Sequence, residues 1–362
     1  MATVFFTGFP GQLGSALLPR VLSRPGGAEA VCPVQPKFVE KACDQVRQIV
    51  ANDPSLSGRV QIVAGDITRD DLGLGPSGVS KDAITEVYHL AAAYDLGIGR
   101  DRATLVNVRG TRHLLRFARS CPRLVRLHYM STAYVSGRSP GEFTEADLDR
   151  GQTFNNWYEQ SKYQAEVEVR REMGRGLPAT VYRPSIVVGD SATGATRKYD
   201  GLYFVIRWLL RQPRVAIMPV AGDPRRVEVN VVPLDFVAAA VAYLGALPSS
   251  EGQVYQLTDP RPLTVAEMLE ELGRALRRRL IGLRLPVGAV KSLVDHVPGI
   301  SRWVQLPSQV LDYLSHPTRY RSPATQAASE GSGIVVPRFS AYAARLVEFV
   351  RQHPDLGSAE TA

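Results

Sequence analysis

Cysteine is scarce in this chain. Its 362 residues hold three, Cys32, Cys43 and Cys121, isolated from one another and odd in number. No C-x-x-C pair suggests a zinc or dithiol site, so packing thiols in a reducing compartment are the expectation. No secretory leader is legible before the first strand, and the expected setting is cytoplasmic. Long hydrophobic runs are missing as well. No stretch of about 18 uninterrupted apolar residues exists, which excludes a bilayer-spanning helix. His89 has no His, Asp or Glu at metal-ligand spacing, so it reads as packing and no metal is expected. Blocks of basic charge are also absent. The 43 basic and 35 acidic residues leave a net charge of +8, but the Arg and Lys are scattered. That excludes a nucleic-acid arm and favours small anionic ligands. With 44% hydrophobic and 22% charged residues, the chain is globular, and its length allows one large domain or two ordinary ones.

What is present begins with glycine. An apolar run, Val4-Phe5-Phe6, feeds Thr7-Gly8-Phe9-Pro10-Gly11-Gln12-Leu13-Gly14, and a helical pattern follows with Leu13, Leu17, Leu18, Val21 and Leu22. The spacing G-x-x-G-x-x-G is a variant of the dinucleotide-binding Rossmann loop. Gly8 permits the tight turn, Gly11 lets backbone approach a pyrophosphate, and Gly14 allows close helix–strand packing. The helix behind them aims its N-terminal amides at the phosphates. A second strand, Ala30–Val34, ends at Gln35-Pro36-Lys37. NAD-specific Rossmann proteins carry an acid there for the ribose 2′-hydroxyl. Here no acid stands at the tip and Lys37 follows, which would attract a 2′-phosphate. NADP(H) is therefore favoured over NAD(H), with a solvated helix-start lysine as the plainer reading of Lys37.

Further strands are read at Val60–Ile67, ending in Gly65-Asp66, and at Glu86–Ala93, which runs into the small residues Ala91 and Ala92. Small side chains at a strand's carboxyl end leave room for a nucleotide across the sheet. Without other motifs Asp66 is equally a helix N-cap. Residues 69–83 read as a loop. Val106 onward opens a helix containing Asn107.

A strand at Leu124–Met130 ends in Ser131-Thr132-Ala133-Tyr134-Val135-Ser136-Gly137, and Tyr158-Glu159-Gln160-Ser161-Lys162 follows. Residues four apart share a helix face, so Lys162 is expected beneath the phenolic oxygen of Tyr158. A tyrosine of pKa about 10 is a poor acid–base catalyst, and a fixed cation beside it would lower that value. Thr132 would hydrogen-bond and polarise a reacting carbonyl. Alone, Y-x-x-x-K is a common exposed pair. Behind a glycine turn and a Ser-Thr strand end, the joint pattern is specific.

Residues 3–190 resemble the extended short-chain dehydrogenase/reductase family. The segments M-S-T-A-Y-V-x-G, Y-x-x-S-K-Y-x-A-E and R-P-S-x-x-x-G are closest to its subgroup of fatty acyl-CoA reductases and thioester reductase domains, of male-sterility NAD-binding type. The fold implied is α/β, a Rossmann-type doubly wound parallel sheet with a smaller, mainly helical C-terminal substrate cap. The resemblance implies a catalytic set of Thr132, Tyr158 and Lys162. It places Thr7, Gly8, Gly11, Gln12, Leu13, Gly14, Lys37, Asp66, Ile67, Ala91, Ala92 and Asn107 at the cofactor, with Asp66 and Ile67 on the adenine edge. Lys162 would also hold the nicotinamide ribose, beside Tyr158, and Pro184 and Ser185 would border the nicotinamide. Ala179–Gly189 reads as one strand, and Val232-Pro233-Leu234-Asp235 resembles the element that returns the chain to the core.

The second half is less legible. The expected division assigns 1–190 and 229–260 to the dinucleotide domain, 191–228 and 261–353 to the cap, and 354–362 to a flexible tail. The apolar stretch from Leu280 through Leu311 fits plain packing, an acyl pocket or membrane-surface contact in decreasing order. The run Arg277-Arg278-Arg279 fits a solvated face or a contact for the phosphates of a coenzyme A or phosphopantetheine thioester. The expected activity is NADPH-dependent hydride transfer to a carbonyl or acyl thioester of an apolar small molecule, with Tyr158 as proton donor. The alternatives are an alcohol or sterol dehydrogenase, a nucleotide-sugar epimerase or dehydratase, and a non-catalytic dinucleotide sensor. A homodimer is left open.

Overall fold

The computed structural model describes residues 2–75, 79–220, 223–284, 312–313 and 315–356. Strand β1 (Ala2–Thr7) carries Val4, Phe5 and Phe6 fully buried, as a strand covered on both faces must. Helix α1 (Gln12–Leu22) follows the glycine turn and buries Gly14, Leu17, Leu18, Val21 and Leu22 along one stripe. The chain then alternates through β2 (Ala28–Val34), α2 (Val39–Asn52), β3 (Val60–Ala64) and β4 (Ile84–His89). These strands and β5 (Arg126–Met130) are joined by two later strands whose numbers follow in chain order.

One prediction changes between β4 and β5. The helix expected from Val106 starts earlier, as α3 (Arg100–Ala103), and continues through a π-helical turn at Thr104–Arg109 into α4 (Gly110–Arg119). A wide turn of this kind tilts one side chain out of register, and Asn107 lies within it. After the short strand β6 (Gly141–Phe143), helix α5 (Trp157–Met173) carries the tyrosine–lysine motif.

The expected strand Ala179–Gly189 is also broken. Strand β7 (Ala179–Pro184) belongs to the central sheet, whereas β8 (Ile186–Val188) leaves it to pair with β11 (Val231–Pro233), which follows a short β10 (Glu228–Val229). Pro184 has no N–H to continue a ladder, and beyond it the Ser185 and Ile186 amides bond to Leu257 and Asn230 on different elements. Between these pieces lie α6 (Leu202–Leu210) and β9 (Val215–Val220). After β11 come α7 (Leu234–Ala246) and β12 (Val254–Leu257), and then β13 (Leu263–Thr264), α8 (Val265–Leu276) and β14 (Arg279–Arg284). The last elements are β15 (Thr318–Tyr320), α9 (Pro323–Ser329) and α10 (Phe339–Gln352).

The central sheet is parallel throughout, in the order β12-β7-β5-β4-β1-β2-β3. This is the doubly wound Rossmann arrangement. The strand order reverses between β1 and β4, so the crevice at their carboxyl ends is where such sheets bind ligands. On one face α1 and α7 bury Leu17, Leu18, Val241 and Leu244. On the other, α4 and α5 bury Leu114, Phe117, Ala165 and Val169. A third core gathers α6, β9, α8 and α10 around Ile206, Met218, Leu272 and Leu346. The stretch 323–336 packs elsewhere, with Ala328, Ile334 and Val336 against the α1–α7 face.

Candidate active site

The three glycines converge on one backbone carbonyl. Gly8 takes φ +90°, and a Cβ there would meet the Leu90 carbonyl carbon at 2.7 Å. The Gly11 amide donates to the Gly8 oxygen at 2.9 Å, and a Cβ on Gly14 would lie 2.5 Å from that oxygen. Gly11 is the N-cap of α1, with no side-chain cap and no acid in the first turn. The helix's first amides and its positive end therefore face the crevice uncompensated by protein, a cradle that fits a pyrophosphate. Leu13 packs against the α1–α7 core.

Around this turn the other predicted residues take different parts. Thr7 ends β1 directly beside His89, its Oγ1 2.9 Å from Nδ1, and the Ala91 amide donates to the same oxygen at 3.3 Å. His89 is fully enclosed, with Thr111 on Nε2, and burial drives its pKa down to about 3, so the ring is neutral. Ala92 is half-buried beside Ala91. Asp66 caps no helix. It closes a turn by accepting from the Thr68 amide and hydroxyl at 2.9 and 2.7 Å. Ile67 is buried against Gly110, where a Cβ would sit 2.9 Å from Cδ1. Lys37 is exposed at the tip of β2, its ammonium 4.8 Å from the Phe38 ring centroid. Asn107 is buried and spends its amide on protein: it accepts from the Ala93 amide, and donates to the Ala93 carbonyl and to Ser161. It thus braces the end of β4 against α5.

The chemical end of the crevice is built by β5 and α5. Thr132 is buried where β5 ends; its hydroxyl reaches the Pro184 carbonyl at 3.4 Å, accepts from the Tyr134 amide at 3.3 Å, and lies near enough to bear on the Tyr158 phenol. Ser185, next to Pro184, has a buried hydroxyl without a protein partner. The Lys162 ammonium is held on strand β5, donating to the Met130 carbonyl at 2.7 Å and the Tyr129 hydroxyl at 3.0 Å. A buried ammonium takes the strongest acceptor in reach, and here that is a main-chain carbonyl. Burial lowers the lysine's pKa to about 7, with Glu166 opposing. Tyr158 is accordingly not depressed. Burial pushes it up to about 12, the Thr132 hydroxyl works against this, and Glu159, Asp200 and Tyr94 add to it. The phenol is a protonated donor.

Beneath both residues lies a buried ion pair. Glu166 holds Arg183 at 2.7 Å with both side chains fully enclosed, takes the Ser131 hydroxyl at 2.6 Å, and accepts from Arg170 at 2.9 Å. Since Ser131 precedes Thr132 and Glu166 follows Lys162 by one helical turn, this network fixes β5 against α5.

Sequence reasoning missed Arg197. It projects from the irregular segment after β8 onto the glycine turn, donating to the Pro10 carbonyl at 2.7 Å, to Ser15 at 3.1 Å, and to Gln45 on α2. The Arg197 amide and the Thr196 hydroxyl also bond to Gln12. One residue after Arg197, Lys198 lies over the Tyr94 ring, and burial lifts Asp200 to about 6 despite Lys198. The R-K-Y-D cluster in a loop of otherwise small residues was the available signal. Among the described residues no group of three His, Cys, Asp or Glu could hold a metal, and no helix is long and apolar enough to cross a membrane.

Comparison with known proteins gives concordant findings. The profile of a family described as male sterility protein, an NAD-binding domain, matches residues 6–241. The chain is 30% identical over 358 residues to an isonitrile lipopeptide synthase of Streptomyces coeruleorubidus, covering 92% of this chain and 23% of that protein. It spans a third or less of the first curated relatives it matches, at 32%, 28% and 23% of their lengths. Among solved structures, the terminal R domain of the myxalamid PKS-NRPS pathway superposes with a TM-score of 0.81 at 26% identity, covering 99% of this chain and 93% of that one. A thiolation-reductase di-domain from an archaeal non-ribosomal peptide synthetase gives 0.77 at 18%, covering 98% and 76%.

Proposed function

The chain belongs to the male sterility protein family of extended short-chain dehydrogenase/reductases, NAD(P)-dependent oxidoreductases, and on that premise we propose that it is an NADPH-dependent reductase of acyl thioesters or carbonyls, with Tyr158 as proton donor. The observation that carries this reading is the pairing of Tyr158 with Thr132. A phenol held protonated at about 12, with the buried Thr132 hydroxyl bearing on it, stands at the carboxyl edge of the sheet, beside a glycine cradle shaped for a pyrophosphate. A sensor would need the cradle but not the polarised phenol.

When bound, the nicotinamide cofactor supplies the hydride. Gly8, Gly11, Gly14 and the first amides of α1 would hold its pyrophosphate, Lys37 its 2′-phosphate, and Pro184 and Ser185 would border the nicotinamide. Thr132 and Tyr158 would together grip a carbonyl oxygen. Tyr158 gives its proton to that oxygen as negative charge develops on it. Lys162, held in reserve on Met130 and Tyr129, supplies the positive field behind Tyr158. For the substrate, the similarity to reductase domains of thioester-carrying synthetases favours an acyl thioester on a phosphopantetheine arm. Of the apolar stretch from Leu280 through Leu311, which suggested an acyl pocket, residues 285–311 lie outside the described residues.

The test follows cofactor oxidation with octanoyl-N-acetylcysteamine thioester and with octanal, using NADPH and NADH in turn. Wild type is expected to consume NADPH in preference, and Tyr158→Phe to lose about 10²–10⁴-fold in rate while still binding NADPH. A Tyr158→Phe enzyme as active as wild type removes the catalytic assignment. Preference for NADH removes the role given to Lys37.

A further inference from the structure

Arg197 stands where a cation costs stability. The positive end of a helix is its first turn, and basic side chains belong in the last, where α1 has Arg20. The Arg197 guanidinium nevertheless donates to Ser15 in the first turn of α1 at 3.1 Å, and to the Pro10 carbonyl just before it at 2.7 Å. Its third side-chain partner is Gln45 on α2. All three acceptors are neutral. No carboxylate pairs with Arg197 among the described residues, and its half-burial is an electrostatic cost that nothing in the chain opposes. A part-buried charge of this kind needs a counter-ion from somewhere.

The neighbouring charge has the same sign. Lys41 stands one helical turn ahead of Gln45 and Lys37 one turn before that, so both share the face of α2 on which Gln45 takes the guanidinium. Lys37 and Lys41 are exposed, and Lys37 lies over the Phe38 ring. Of the acids on α2, Asp44 is committed to Arg47, and exposed Glu40 stands off that face. Three cations and the positive end of α1 thus border one edge of the glycine turn.

The chain spends structure on keeping Arg197 there. Ser191 is pinned to Asp235 by its amide and hydroxyl. Gly194 takes φ +75°, and a Cβ on it would lie 2.3 Å from the Arg345 carbonyl, so only glycine lets the segment lie this close to α10. The Thr196 hydroxyl and the Arg197 amide then both bond to Gln12, at 3.0 and 3.3 Å. A side chain from beyond β8 is thereby delivered onto the turn between β1 and α1.

We infer that Arg197 is a phosphate-binding residue of the dinucleotide site, supplied by the segment after β8 rather than by the cradle itself. The inference rests on the dinucleotide reading above. A guanidinium presents paired donors that match a phosphate, and phosphate oxygens are stronger acceptors than the carbonyl and hydroxyl that hold it in the free protein. Two phosphates have this chemistry: the pyrophosphate, on the α1 side, and a 2′-phosphate, on the side of α2 and Lys37.

The test is binding, read by thermal shift and by titration of NADPH fluorescence, on wild type, Arg197→Gln and Arg197→Lys. Arg197→Gln is expected to weaken NADPH about tenfold or more and to lose most of the NADPH-induced rise in midpoint, whatever its ligand-free midpoint. The difference from wild type should shrink as salt is raised, and Arg197→Lys should recover part of it. NADH, ADP and adenosine 2′,5′-bisphosphate separate the sources. A loss shared by NADH and ADP places the pyrophosphate on Arg197, and a loss confined to NADPH and the bisphosphate places the 2′-phosphate there; either upholds the inference. Unchanged affinities overturn it. So does a loss that salt does not alter and lysine does not relieve, which would make Arg197 a brace for the turn. If wild type binds no nucleotide, the cofactor reading fails on its own, and inorganic pyrophosphate decides Arg197. A wild-type shift that Arg197→Gln abolishes upholds the anion site, whereas equal shifts, or none, overturn it.

Discussion

Replacing Glu166 by alanine tests the buried network that aligns strand β5 with helix α5. Glu166 and Arg183 are both fully enclosed, and the glutamate's two oxygens meet Arg183 Nε and Nη2, Arg170 Nε and the Ser131 hydroxyl. Removing the carboxylate strands a guanidinium in the core, a change that costs about 3–5 kcal/mol. The lower end is expected, because Arg183 keeps the carbonyls of Thr144 and Asp147 at 3.3 and 2.7 Å. Against a total stability of order 5–15 kcal/mol this is a large fraction. Urea unfolding followed by tryptophan fluorescence measures it, with Trp157 at the start of α5 as a local reporter. A Glu166→Ala/Arg183→Leu double variant should recover much of the loss, since no unpaired charge remains. Acid dependence provides a second readout. Burial alone would raise the Glu166 carboxyl, but Arg183, Arg170 and Ser131 outweigh it and hold the folded value below the ordinary one. A depressed carboxylate contributes its stability in full above the unfolded value of about 4.3 and loses it as pH falls through the folded value. The gap between wild type and Glu166→Ala should therefore be constant at neutral pH and close below about pH 4. A single-variant cost under about 1 kcal/mol, or single costs that simply add in the double variant, would refute the reasoning.

Three further outcomes are expected. With Lys162 brought down to about 7 by burial, kcat/KM for reduction should fall as pH rises through about 7, and Lys162→Arg, always charged, should lose that limb; the same limb in the arginine variant assigns it to another group. The same depressed value means the unfolded chain holds this proton more tightly between pH about 7 and 10, so folded stability should rise with pH across that window. Gly14→Ala forces a Cβ to 2.5 Å from the Gly8 carbonyl, so NADPH binding by thermal shift should be lost or weakened at least about tenfold, and unchanged binding would contradict the packing described. Asn107→Ala strands the buried Ala93 amide and carbonyl, which should cost about 1–3 kcal/mol in urea unfolding and lower kcat through misplacement of α5, whereas an effect below about 0.5 kcal/mol would mean that the Ala93 groups find other partners.

How much of this was readable beforehand depends on how local the determinant is. The glycine turn, the strands and the helix carrying Tyr158 are written in short-range patterns, and each formed where its pattern stood. The break at Ser185 was not readable, because Pro184 ends one ladder while the partner that captures Ile186, Asn230, lies far along the chain. The π-helical turn around Asn107 leaves no periodic signature in so short a stretch. The acceptors that Lys162 takes were unreadable for another reason. Helical spacing sets which face a side chain shares, but a long flexible stem is then directed by acceptors on a neighbouring strand, here Met130 and Tyr129. Spacing gives direction only for rigid side chains.

The segment from Asp190 to Asp200 ties the glycine turn to α7, α10 and Tyr158. At its start Ser191 is pinned to Asp235 by its amide and hydroxyl, and its carbonyl accepts from Arg345 on α10. In its middle Thr196 and Arg197 grip Gln12, Pro10 and Ser15 around the glycine turn. At its end Asp200 bears electrostatically on Tyr158. The residue that would feel a pyrophosphate and the residue that biases the proton donor are thus three positions apart on one tethered strand of chain. Arg197 bonds both to the main-chain carbonyl of Pro10 and to the side chains of Gln12, Ser15 and Gln45, so the linkage depends on the backbone path of the turn and on those side chains together. Phe9-Pro10, between the first two glycines, thus supplies the main-chain part of the connection from the glycine turn to the segment that ends at Asp200.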